Sequence, residues 1–61
     1  MRYYIVVQIL NIQNEFIHGV AIDKYEAIDI YSCLGYPKKI LYQYDTHNGV
    51  VTKETILLST I

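Results

Sequence analysis

The fold is decided by residues 23–34, which read DKYEAIDIYSCL and form the one stretch of this 61-residue chain with helical periodicity. Its apolar side chains recur at intervals of three and four residues, which places them on one side of a helix. At ~1.5 Å per residue such a helix is roughly 18 Å long and can cover only a small sheet. The residues predicted to face that sheet are Ala27, Ile30, Tyr31 and Leu34.

Both ends of the predicted helix carry capping signals. Asp23 is typical of an N-cap, and Glu26 three residues later completes the pattern of a capping box. Gly35 is predicted to close the helix in the left-handed conformation, and Pro37 prevents the helix from continuing. We therefore expect one helix at about residues 23–34.

Most of the remaining chain is β-branched or aromatic, which predicts strands on both sides of the helix. A two-residue loop at Asn14-Glu15 is predicted to join the first two strands and to set Ile9 opposite Val20. Gly19 and Ala21 then share a sheet face with Val6. The predicted strands are Tyr3–Ile12, Phe16–Ile22, Lys38–Thr46 and Val50–Leu58.

The last two strands are joined by the strongest turn signal in the chain. Asn48-Gly49 favours a type I′ turn because both residues accept positive φ angles. In that register Tyr44 lies opposite Lys53. The same register sets Tyr42 opposite Thr55 and Ile40 opposite Leu57.

The element order ββαββ predicts a single α+β domain over residues 1–61. A right-handed crossover by the helix gives a four-stranded, mostly antiparallel sheet of order 2-1-3-4, with the helix packed on one face. The other face is then open. We expect it to be too apolar to stay uncovered in a monomer.

A chain this short buries little surface, so it usually needs a supplement to its core. The single cysteine, Cys33, excludes an internal disulfide, and too few metal-ligating residues are present to predict a metal or another cofactor. Self-association, most simply as a dimer, is therefore expected. Cys33 is predicted to be a buried thiol on the flank of the helix.

The predicted interaction surface combines the first strand with tyrosines near the third. Both faces of the first strand are apolar, whereas a strand that is wet on one side alternates with polar residues. Aromatic residues are also enriched at protein interfaces. The surface consists of Tyr4, Val6, Leu10, Ile12, Tyr36, Tyr42 and Tyr44.

An alternative partner is single-stranded nucleic acid. Tyrosines beside cations can stack unpaired bases while the cations hold phosphates. However, the chain has five cationic and six acidic residues and a net charge of -1, and so lacks a basic stripe. A protein partner is therefore favoured. The residues of the nucleic-acid alternative are Tyr36, Tyr42, Tyr44, Lys38 and Lys39.

A second alternative is a small nuclease or toxin that uses His18 or His47, since acid–base chemistry needs groups that titrate near neutral pH. The predicted elements place His18 in a strand and His47 at a hairpin tip. Nothing in their spacing brings the two together. We therefore favour a half-buried His18, a turn residue at His47, and a protein that is not an enzyme.

Composition bounds the remaining possibilities. With 52% apolar and 18% charged residues, the chain is expected to fold rather than to be disordered. No apolar run approaches the 18 residues of a membrane span, and no signal-peptide cleavage pattern follows the first strand, so we expect a cytoplasmic protein. Seven tyrosines without a tryptophan suggest an AT-rich genome. The leading hypothesis is a phage-type or mobile-element accessory protein that binds and modulates or inhibits a host macromolecule.

Overall fold

The computed structural model describes residues 1–60, which form a sheet of four strands with one helix on one face. All pairings in the sheet are antiparallel, and the strand order is β2-β1-β3-β4. The predicted α+β fold, ββαββ with order 2-1-3-4, is confirmed; Ile61 lies outside the described residues. The elements are β1 (Arg2–Asn11), β2 (Asn14–Ala21), α1 (Lys24–Cys33), β3 (Lys38–His47) and β4 (Val50–Thr60).

The N-terminus of α1 is capped as predicted. Asp23 has an extended backbone, and its carboxylate accepts a hydrogen bond from the Glu26 amide at 3.2 Å. This bond satisfies one of the amides that the first helical turn leaves unpaired. The return bond from the Asp23 amide to the Glu26 carboxylate is absent among the described residues, so the capping box is half formed.

The C-terminus of α1 ends differently from the prediction, and Gly35 is not in the left-handed region. Leu34 is the C-cap in an extended conformation, with its amide 3.3 Å from the carbonyl oxygen of Tyr31. The Lys39 ammonium, which comes from β3, donates to the carbonyl oxygens of Tyr31 at 2.6 Å and Leu34 at 3.1 Å. Because a cation satisfies these carbonyls, the chain can leave the helix without a left-handed residue.

We expect Lys39→Met to lower the free energy of unfolding by about 1–2 kcal/mol. Methionine keeps most of the apolar stem but removes the charged donor from two helix carbonyls. It also removes the cation that lies 4.5 Å from the centre of the Tyr31 ring. Urea denaturation measures the change, and Lys38→Met, at the exposed neighbouring position, is the matched control. Equal effects of the two substitutions would show that the helix end does not depend on Lys39.

The main core lies between α1 and the sheet. Ala27 is fully buried at the centre of the helix face, and it packs with buried side chains of β1, β2 and β3. The predicted inward face of the helix is confirmed, since Ile30, Tyr31 and Leu34 pack against the same cluster. The buried residues of this cluster are Tyr4, Val6, Ala21, Ala27 and Leu41.

The register of β1 with β2 differs from the prediction by four residues. The structure pairs Val20 with Ile5 rather than Ile9, because the loop is at Ile12-Gln13. The Asn11 side chain accepts a hydrogen bond from the Gln13 amide at 2.9 Å, which forms an Asx turn and places the loop two residues earlier than predicted. Bulges at two points along the pair also shift the register. Gly19 and Ala21 nevertheless share the face of Val6, as predicted.

The β3–β4 hairpin largely follows the prediction. Asn48 and Gly49 have φ angles of 51° and 77°, as a type I′ turn requires. The predicted pairs Tyr44–Lys53 and Tyr42–Thr55 are present. A bulge beyond Tyr42 then pairs Ile40 with Leu58 instead of Leu57, because β4 contributes one extra residue there.

Candidate interaction surfaces

The seven residues of the predicted interaction surface do not lie together. Tyr4 and Val6 are buried beneath α1 in the main core, so neither is available to a partner while the helix is docked. The prediction is corrected for these two residues. The physical reason is that α1 covers the even-numbered side chains in the first half of β1, which the apolar pattern of the strand alone could not specify.

Three other members of the set are exposed but separated. Leu10 is near the end of β1, and Ile12 is fully exposed in the loop that follows. Tyr36 lies on the helix side of the sheet, where its ring is 5.3 Å from the ring of His18. Only Tyr42 and Tyr44 belong to the open face, which is the sheet face opposite α1.

The open face contains a second small core. Val7, Ile40 and Tyr42 are only 3%, 9% and 8% exposed, although no helix or second sheet lies over them among the described residues. Ile5, Ile9 and Tyr44 pack around these three side chains. The open face is therefore partly covered by its own side chains.

Tyr42 is the side chain that closes this second core. It lies opposite Ile5, whereas Glu15 lies opposite Ile9, and the Tyr42 hydroxyl donates to the Glu15 carboxylate at 2.7 Å. The ring must therefore cross β1 above Val7. Burial, followed by the hydrogen bond to Glu15, raises the pKa of Tyr42 to about 12.

We expect Tyr42 to lose its proton later than an ordinary tyrosine as the pH rises. The unfolded chain releases this proton near its usual pKa of 10.0, while the folded chain holds it to about 12. Stability contributed by Tyr42 should therefore be lost as the pH rises from about 10 to about 12. Ultraviolet titration of tyrosinate should show a late step that Tyr42→Phe removes and that Tyr25→Phe, at an exposed helix position, leaves in place. A late step that persists in Tyr42→Phe would contradict the assignment.

Aromatic side chains extend this core toward the start of β1. The rings of Tyr3 and Tyr44 are stacked, with centroids 5.3 Å apart and planes 4° from parallel. Tyr44 also meets the edge of Tyr42 at 6.1 Å. The Lys53 ammonium lies 3.9 Å from the centre of the Tyr42 ring, a cation–π distance. Tyr3 and Lys53 were not among the residues of the predicted interaction surface. The predicted hairpin register already set Lys53 opposite Tyr44, whereas Tyr3 could be placed beside Tyr44 only from the register of β1 with β3.

The structure does not bring together the residues of the nucleic-acid alternative. Lys39 is occupied at the end of α1, and Tyr36 lies on the opposite side of the sheet from Tyr44. Tyr42 is buried, with its ring between Val7 and Lys53. The tyrosines of the open face are therefore packed against one another rather than arranged as a free row for bases.

The histidines also lie apart. His18 occupies a bulge of β2, where its Nε2 atom is 2.9 Å from the Gln8 amide oxygen and its ring contacts Phe16. His47 is exposed at the end of β3. Cys33 is exposed rather than buried, which corrects the prediction, because it points away from the side of α1 that carries Ala27 and Leu34. These positions do not form the acid–base pair or activated thiol that catalysis would need.

Three other kinds of site can be assessed over residues 1–60: a metal site, a ligand pocket and a membrane-spanning helix. No three potential metal-ligating side chains cluster in this part of the chain, and no pocket indents its surface. No helix within it is long and apolar enough to cross a membrane. Comparison with protein-family models, curated proteins and solved structures found no match. Fold and surface together define a small α+β protein with an open four-stranded sheet.

Proposed function

We propose that this chain is a small self-associating interaction protein whose work is to bind another macromolecule rather than to catalyse a reaction. The observation that carries the proposal is the apolar surface left uncovered on the open side of the sheet. Monomeric proteins rarely leave large apolar patches exposed unless the patch is a contact site. Along the two edge strands of this face, four apolar residues are each more than half exposed: Ile17 and Val20 in β2, and Val51 and Leu58 in β4.

The dimensions of the molecule support a contact on this scale. The Cα atoms of the protein extend over 36 × 26 × 15 Å. One broad face therefore has a footprint of up to about 900 Å², similar to the ~800 Å² that each partner contributes to a standard protein interface. The tyrosines at one end of this face are of the type enriched in protein contacts.

Within this proposal the chain acts in the cytoplasm as an accessory protein of the phage or mobile-element type, and it modulates or inhibits a host macromolecule. Its amino-acid usage, rich in tyrosine and without tryptophan, suggests an AT-rich genome and supports this assignment by likeness of composition. The proposed partner is a protein, because the chain carries a net charge of -1 and no basic stripe.

Sedimentation equilibrium tests the self-association. We expect a dimer or larger species at micromolar concentration, in equilibrium with the 7.1 kDa chain. A single species of that mass across the whole concentration range would overturn this part of the proposal.

A matched pair of variants tests the open face as the partner surface. Ile17 is 57% exposed on the open face, and its neighbour Phe16 is 54% exposed on the helix side. We expect affinity purification from native cells, followed by mass spectrometry, to recover a partner with wild type and Phe16→Lys but not with Ile17→Lys. Equal recovery with both variants would show that the open face does not bind the partner.

A further inference from the structure

The last strand is held by a single neighbour. β4 pairs with β3 only, while α1 packs against β1, β2 and β3 and does not reach β4. Within β4, only Ile56 and Ser59 are half-buried. Val50 and Val51 point to opposite sides of the sheet, and both are more than half exposed. Apart from Ile56, which packs against the main core, both faces of β4 and its outer edge are therefore uncovered in one copy of the chain.

The hydrogen-bonding groups on the outer edge follow from the hairpin register. In a two-residue type I′ hairpin the closing pair, here His47 and Val50, exchanges both backbone bonds, and bonded and non-bonded pairs then alternate. The amide and carbonyl groups of every second residue consequently point away from β3. In β4 these outward groups belong to Val51, Lys53 and Thr55.

Sheet proteins usually protect such an edge, and the two edges of this sheet differ in that respect. The β2 edge is interrupted by the bulge at His18. The β4 edge is interrupted only near Ile56, which leaves an unbroken run over Val50–Thr55. Lys53 could block pairing of this run by its charge, but its ammonium is drawn inward, 3.9 Å from the centre of the Tyr42 ring.

We propose that two copies of this chain pair through β4, antiparallel and about a two-fold axis at Thr52. This inference rests on the self-association in the proposed function and names its site. Another strand is the element that fits, because it alone extends the backbone ladder and also places side chains beside both faces of β4.

Run length and charge together select the register, because an axis at Thr52 or Lys53 pairs most of the run Val50–Thr55 with its copy, whereas an axis at Val51 or Thr55 pairs only one end of it. An axis at Lys53 or at Glu54 would place like charges directly opposite each other, which destabilises a strand pair. An axis at Thr52 sets Val51 against Lys53 of the second copy and Val50 against Glu54 of the second copy. Threonine then faces threonine at the centre, and no two like charges lie directly opposite each other.

This pairing joins two four-stranded sheets into one. The two-fold axis is perpendicular to the sheet, so both helices lie on one side and both open faces lie on the other. The apolar and tyrosine-rich surface proposed to bind the partner is thereby doubled in width rather than buried. Dimerisation and partner binding thus use different parts of the sheet.

A pair of substitutions at Val51 tests the backbone contact. Val51→Pro removes an outward amide that bonds nothing in β3, a position at which an edge strand tolerates proline. Because both copies lose a hydrogen bond, we expect the Kd of the dimer to rise at least tenfold. Val51→Thr keeps the amide and the β-branched shape, and we expect its Kd to change less than about threefold. Circular dichroism of both variants confirms that each is folded.

Cross-linking tests the register without perturbing the backbone. In a Cys33→Ser background, Thr52→Cys places two thiols at a non-hydrogen-bonded pair, where Cα atoms are ~4.5 Å apart and a disulfide can form. We expect mild oxidation to give a covalent dimer. Ser32→Cys in the same background, on the exposed side of α1, should remain uncross-linked.

The outcomes separate this inference from the proposed function. A wild-type chain that sediments as a monomer overturns both. A dimer that keeps its affinity in Val51→Pro, or that fails to cross-link through Thr52→Cys, overturns pairing through β4 and leaves self-association standing. Weakened association in Val51→Pro together with the Thr52→Cys cross-link supports the inference.

Discussion

Leu41→Ala is expected to lower the free energy of unfolding by about 3 kcal/mol. Leu41 has no exposed surface, and it lies in β3 beneath α1, opposite Val6 of β1. Alanine would lose the transfer free energy of the missing carbons and leave a cavity between sheet and helix. For a domain of this size such a loss is a large fraction of the total stability.

Leu58→Ala is the matched control for this substitution, because the same side chain in β4 is 57% exposed in one copy. We expect it to change stability by less than about 1 kcal/mol. Urea denaturation of both variants should be measured at one fixed protein concentration, since association adds to apparent stability. Similar losses at the two positions would show that the space beneath α1 is not the main core.

Gly19→Val is expected to lower the free energy of unfolding by about 2 kcal/mol. A Cβ atom at Gly19 would lie 3.0 Å from Cγ2 and 3.2 Å from Cδ1 of Ile30, so even one carbon is tight. Valine adds two more methyl carbons at the point where α1 approaches β2. The helix must then move or Ile30 must leave its rotamer, and both changes loosen the main core.

A second substitution identifies the cause of that loss. Ile30→Ala should restore part of the stability of Gly19→Val, because it removes the side chain that the new methyl groups meet. Gly35→Val is the matched control: no atom lies within 4 Å of the added carbon, and the backbone there is not left-handed. We expect it to cost less than about 0.5 kcal/mol. A large loss for Gly35→Val, or no recovery with Ile30→Ala, would contradict this account of the close approach.

The sequence by itself determined the elements and their order. Asp23 specifies the helix start through a hydrogen bond to a residue three positions away, and Asn48-Gly49 specifies its turn through the φ angles of two adjacent residues. The alternation of Tyr42 with Tyr44 places both on one sheet face, so part of the aromatic group on the open face was predictable. These features depend on near neighbours in the chain, and a residue pattern records near neighbours directly.

The tertiary structure alone decided how the helix ends and what covers each face. Lys39 reaches back eight residues to the carbonyl of Tyr31, and this contact replaces the left-handed Gly35 that the local pattern predicted. Tyr42 reaches across β1 to Glu15, 27 residues away, and thereby closes a second core on a face that the pattern left bare.

The positions of the β-bulges were also decided by the tertiary structure alone. Each bulge inserts one extra residue into one strand of a pair, so that two residues oppose one and the register shifts. The bulge near Ile56 sets the length of the free run in β4, and the one at His18 interrupts the β2 edge. Such contacts join residues that are distant in the chain, and their free energies depend on three-dimensional packing, which the apolar pattern of a single strand does not contain.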